Sequence, residues 1–202
     1  GHAKAKGTDA GKYDMGLNKS QFTNNNGNFT NVTFEVVEDG KLEISPRSVT
    51  LTSANAEKVY DGTPLTKDEV TASGEGFVKD EGATYKVTGT LTDVGETANT
   101  FTYELKEGTK AGNYEIAKVE GKLKVTAATD KVVVTIKENA GTAKYDGTEK
   151  TVTGYTVTNI SNKLYAEKDF KFNGKAEVKG TDAGTYDMAL KASDFTNRNA
   201  NF

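Results

Sequence analysis

Two tetrapeptides hold the residue types nearest to a reactive set. Tyr60-Asp61-Gly62-Thr63 and Tyr145-Asp146-Gly147-Thr148 each place a phenol beside a carboxylate, the groups an acid–base pair or a sugar subsite would use. The same four letters are also a folding signal. Asp-Gly favours a turn in which the glycine takes a positive φ, and the tyrosine before it can pack on a core. A reactive centre is normally single, whereas a turn is needed in every copy of a repeat. Tyr60, Asp61, Gly62, Tyr145, Asp146 and Gly147 are therefore read as structural.

Asp93-Val94-Gly95 and Asp182-Ala183-Gly184 form a second recurring pair, and Asn24-Asn25-Asn26-Gly27-Asn28 adds a run of amides. Such oxygens are hard donors of the kind calcium takes. Neither stretch has the alternating acids or the closing bidentate glutamate of a dedicated loop, so polar turns stiffened by Asn side chains are expected instead. No metal and no other cofactor is expected. Lys131, Lys137 and Asn31 are the residue types of a Lys–Asn isopeptide bond, but none is flanked on both sides by aromatics. There is no cysteine, and the one histidine, His2, sits in a Gly1-His2 pair that reads as a cloning scar. No G-x-S-x-G or phosphate-binding glycine loop occurs. An enzyme is not expected.

The elements that carry these turns read as strands. Gly occurs 21 times and Pro twice, with nine Tyr and nine Phe, a mix suited to half-buried strands joined by tight turns. Val49 and Leu51, Tyr85 and Val87, Phe101, Tyr103 and Leu105, and Val132, Val134 and Ile136 alternate with polar residues; so do Val32, Phe34 and Val36, and Tyr186, Met188 and Leu190. Strands that bury one face and wet the other predict an all-β chain of small Ig-like antiparallel β-sandwiches. A β-grasp-like mixed sheet with one short helix around residues 65–70 is the alternative. The net charge of −3, from 26 basic and 29 acidic residues, gives no basic stripe for nucleic acid. No apolar run is long enough to insert in a membrane.

Self-similarity organises the whole chain. Residues 3–29, AKAKGTDAGKYDMGLNKSQFTNNNGNF, recur without a gap as residues 176–202, AEVKGTDAGTYDMALKASDFTNRNANF. Weaker matches join the two YDGT turns, the two D-[VA]-G turns, and Asn113-Tyr114 before GKLKV with Asn28-Phe29 before GKLEI. Three landmarks in one order define one domain type. The expected organisation is a C-terminal part of a repeat at 1–45, a complete domain at 46–128, and an N-terminal part at 129–202 lacking its last strands. A chain that ends on a copy of its beginning reads as a cut from a longer array, with export signal and anchor outside it.

The ordered landmarks YDGT, D-[VA]-G with an aromatic strand, and N-[YF] leading to G-K-L-x-[VI] resemble the YDG and MBG families of bacterial Ig-like repeats. The resemblance implies tandem arrays in large surface proteins and adhesins, hence an extracellular location on the bacterial cell surface or wall. The expected role is a non-catalytic stalk, spacer or adhesion module whose partners are neighbouring repeats. The alternative is a carbohydrate- or glycoprotein-binding module using exposed Tyr155, Tyr165, Phe170 and Phe172 against a host glycan. Residues 30–44 are expected as a strand pair that a neighbouring copy could accept, giving head-to-tail or strand-swapped self-association.

Overall fold

The computed structural model describes residues 3–202; His2, and with it the cloning-scar expectation, lies outside the described residues. The chain is all-β, and among the described residues only short 3₁₀ turns accompany the strands. It divides into two compact units.

The first unit takes the described residues through Asn55, with Thr66–Gly89 and Ala98–Lys122. Arg47–Ser53 is its central strand, antiparallel to Val70–Gly74 and parallel to Tyr114–Val119. Its alternation is the reason it lies there: Val49, Leu51 and Ser53 all point inward and are buried. Ala83–Val87 pairs antiparallel with Phe101–Leu105, setting Tyr85 opposite Tyr103. Val49 and Leu51 from the first sheet meet Phe101 from the second, closed by Tyr114, with Val70, Phe77, Val87 and Ile116 packed around them. This unit also contains Gly11–Asp14 paired antiparallel with Lys41–Ile44.

The second unit takes Ala56–Leu65, Thr90–Thr97 and Leu123–Phe202. Gly121–Thr126 is the middle strand of a three-stranded sheet, flanked by Ala56–Val59, to which it runs parallel, and Gly95–Asn99. Leu123 and Val125 are buried on it. Further along, Val134–Glu138 pairs with Tyr155–Ile160 across a bulge, Lys150–Thr153 with Glu177–Gly180, and Phe170–Phe172 with Phe195–Asn197.

Three sequence expectations are corrected. The sheets are not purely antiparallel, because Arg47–Ser53 and Ala56–Val59 each gain a parallel partner. Some sixty residues separate the paired strands, ample for the crossover that parallel pairing needs. No helix forms near residues 65–70; Leu65 bridges Leu91 and Val70 opens a strand, since so short a segment cannot sustain a helix by itself. Residues 30–37 are not a strand, and Val32, Phe34 and Val37 are exposed. Alternation alone does not make a strand where no sheet accepts it. Only Lys41–Ile44 pairs, and it does so within its own chain.

The two long copies show the same dependence on a partner. Gly11–Asp14 is a strand because Lys41–Ile44 lies beside it. Its copy, residues 184–187, is irregular, and Tyr186 is exposed where Tyr13 is half-buried.

Candidate functional site

The YDGT turns fold by one recipe. Asp61 Oδ1 accepts from the Thr63 N–H at 2.9 Å and from the Thr63 hydroxyl at 2.7 Å. Asp146 Oδ1 accepts from the same two groups of Thr148 at 3.0 and 2.6 Å. Each is an Asx turn that carries the chain through a glycine in the left-handed region, Gly62 at φ 78° and Gly147 at φ 79°. A lysine completes each one from a different direction: Lys58 reaches Asp61 at 2.6 Å, and Lys150 reaches Asp146 at 2.6 Å. These contacts hold both carboxyls below the usual carboxylate range, Lys first and Thr second in each. A carboxylate this firmly ionised is a poor general acid at neutral pH.

The tyrosines differ. Tyr60 meets Phe202 edge-on, ring centroids 5.6 Å apart, whereas Tyr145 is 69% exposed and is not packed on a core as the sequence suggested.

Two D-[VA]-G turns, Asp93-Val94-Gly95 and its counterpart Asp9-Ala10-Gly11, are held in a way the sequence did not announce. Asn201 takes hold of Asp93-Val94 with both ends of its carboxamide: Nδ2 donates to Asp93 Oδ1 at 3.0 Å and Oδ1 accepts from the Val94 N–H at 2.7 Å. Asn113 grips Asp9-Ala10 the same way, Nδ2 to Asp9 Oδ1 at 3.0 Å and Oδ1 from the Ala10 N–H at 2.7 Å. Lys110 adds an ion pair to Asp9 at 2.7 Å, and these two partners depress the Asp9 carboxyl, Lys110 most. The gripping asparagines are those of the N-[YF] landmark, and the gripped turns are those of the preceding repeat. Gly95, at φ 153°, follows the gripped pair in one case and Gly11, at φ 152°, in the other.

The asparagine is presented by a ladder of its neighbours. Asn199 N donates to Asn197 Oδ1 and Asn201 N to Asn199 Oδ1, each at 2.9 Å, while Asn197 Nδ2 closes the loop on the Phe202 carbonyl at 2.8 Å. The spacing of Asn at alternate positions was the available signal; read as turn formers, these residues gave no hint of a distant partner.

Of the candidate site residues, Asp93 joins Asn201, while Asp182 and Gly184 are exposed. Tyr155, Phe170 and Phe172, offered above as a sugar platform, pack on Phe195 or on one another at 5.0 to 5.8 Å, and Tyr165 is buried against Phe202 at 5.4 Å. They form the local core because the strands carrying them are short and have little else apolar to bury. Among the described residues no group of three or more His, Cys, Asp or Glu side chains gathers as a metal ion requires.

The architecture defines a class: small β-rich domains in tandem, in which an asparagine of one sequence repeat is bonded to a turn of the repeat before it. Residues 45–121 match the family model of the YDG domain and residues 132–202 that of the MBG domain. The chain thus carries a YDG domain followed by an MBG domain and belongs with repeats of that type. No curated protein and no solved structure matches it.

Proposed function

We propose that the chain is a non-catalytic tandem-repeat segment of a bacterial cell-surface protein, working as a stalk or spacer and presenting adhesive surface at a distance from the cell. The supporting observation is the Asn–Asp grip, made at Asn113 on Asp9 and again at Asn201 on Asp93. A contact that recurs once per repeat ties each repeat to the one before it, so that extension scales with repeat number. Tyr165 is buried, and Tyr155, Phe170 and Phe172 are half-buried in ring contacts with one another and with Phe195, which weighs against the glycan-platform alternative.

Two measurements test the reading. Antibodies raised against the chain should label intact, unpermeabilised cells of the source organism; labelling only after permeabilisation would remove the surface assignment. Chains with one, two and three copies of the period that runs from Ala3 to Ala176 should lengthen by equal steps in solution scattering. Steps that shrink to nothing would remove the spacer.

A further inference from the structure

Both halves of a third grip are present in the chain, and both face solvent. The asparagine half is the loop 24–29. Asn26 N donates to Asn24 Oδ1 and Asn28 N to Asn26 Oδ1, each at 3.0 Å, and Asn24 Nδ2 closes on the Phe29 carbonyl at 2.6 Å. Bond for bond this is the ladder that presents Asn201. In place of the half-buried Asn201-Phe202, it presents an exposed Asn28 and a Phe29 that is 63% exposed.

The turn half is Asp182-Ala183. Tyr186 Oη donates to the Asp182 carbonyl at 3.1 Å, just as Tyr13 Oη donates to the Asp9 carbonyl at 2.8 Å in the turn that Asn113 grips. Asp9 and Ala10 are half-buried under their asparagine, whereas Asp182 and Ala183 are exposed. The aromatic that should accompany this turn is also in place. Tyr145, Asp182, Ala183 and Tyr186 line one open cavity of about 650 Å³. The corresponding residues Tyr60 and Asp93 are the ones covered by Phe202 and Asn201.

We propose that this open site receives Asn28-Phe29 of a second copy of the chain. The Asn28 carboxamide bridges the Asp182 carboxylate and the Ala183 N–H, and the Phe29 ring lies against Tyr145. The second copy is the occupant because its loop already has the gripping conformation, so little ordering entropy opposes docking. The two surfaces are different, so the contact is heterologous and propagates head to tail beyond a dimer. The expected route through strand donation by residues 30–44 is less suited, since Lys41–Ile44 is already paired with Gly11–Asp14. Self-docking does not depend on where the protein resides, so failure of the cell-labelling test leaves it standing.

The experiment is sedimentation velocity on the whole chain over a wide concentration range. The native chain should form a growing series of species. Asn28→Ala should weaken the association by about tenfold or more, the loss of two hydrogen bonds, and Asp182→Ala, which leaves the Ala183 N–H in place, by about tenfold through the loss of one charge-assisted bond. As the chain has no cysteine, a Phe29→Cys variant mixed with a Tyr145→Cys variant should form a mixed disulfide faster than Phe29→Cys mixed with Val37→Cys. A chain that stays monomeric, or equal rates in the two mixtures, would overturn the proposal. Association untouched by both alanine substitutions would also overturn it and assign the contact to strand exchange.

Discussion

Ser53 and Asn99, 46 positions apart, are joined in the buried interior of the first unit, where the Ser53 hydroxyl donates to the Asn99 carbonyl at 2.6 Å. The same Ser53 oxygen accepts from the Gly121 N–H at 2.9 Å, and Asn99 Nδ2 reaches the carbonyls of Ala54 and Lys67, each at 2.9 Å. Two side chains thus satisfy four backbone groups from separate segments, and both residues are at most 2% exposed. A buried backbone group stripped of its partner costs its desolvation. Ser53→Ala should therefore lower stability by roughly 1–3 kcal/mol, and Asn99→Ala by a similar or larger amount. Urea denaturation reads this as a lower midpoint with an unchanged slope; two unchanged midpoints would remove the bridge from the account.

The long copies contain a built-in comparison of glycine with alanine. Gly16, at φ 71°, corresponds to Ala189, at φ 59°. The backbone bends the same way in both, but at Ala189 a Cβ opposes the left-handed conformation. Ala189→Gly should stabilise the last domain by about 1 kcal/mol, and Gly16→Ala should destabilise the first segment by a similar amount. Differential scanning calorimetry of the two variants checks the opposite signs.

Acid should loosen the turns. Asp61, Asp146 and Asp9 are each held below the ordinary carboxylate range by their lysines and the hydrogen bonds beside them. A folded-state value below the unfolded one means that the unfolded chain binds more protons as pH falls. The stabilisation is complete above the unfolded carboxylate value of about 4 and is lost as pH drops through the folded values. Melting temperature should be level near neutrality and fall below about pH 4. Asp61→Asn combined with Asp146→Asn should flatten that acid slope, and added salt should reduce the native slope because the pairs are exposed.

What could be read in the sequence was local or repeated. Recurrence marked Asp61 and Asp146 as turn residues, which is how they fold, and alternation placed Val49, Leu51 and Phe101 in a core where they are found. Partnership was illegible. Tyr13 and Tyr186 lie in nearly the same sequence, yet only the first sits in a strand, because pairing depends on a segment thirty residues away. The alternation at Val32 and Phe34 promised a strand that no sheet accepts. The parallel pairing of Arg47–Ser53 with Tyr114–Val119 follows from the crossover between them and not from either strand. Asn201 and Asp93, polar and 108 positions apart, carry no pattern that names one as the other's partner.

The central claim is that this asparagine joins its repeat to the turn of the one before it. A double-mutant cycle on Asn201→Ala and Asp93→Ala, read by equilibrium unfolding of the whole chain, tests it most directly. The account predicts a coupling energy clearly above the ~0.3–0.5 kcal/mol within which independent sites add, with the last domain's transition shifting in both single variants. Strict additivity, with the last domain melting unchanged in both, would contradict it.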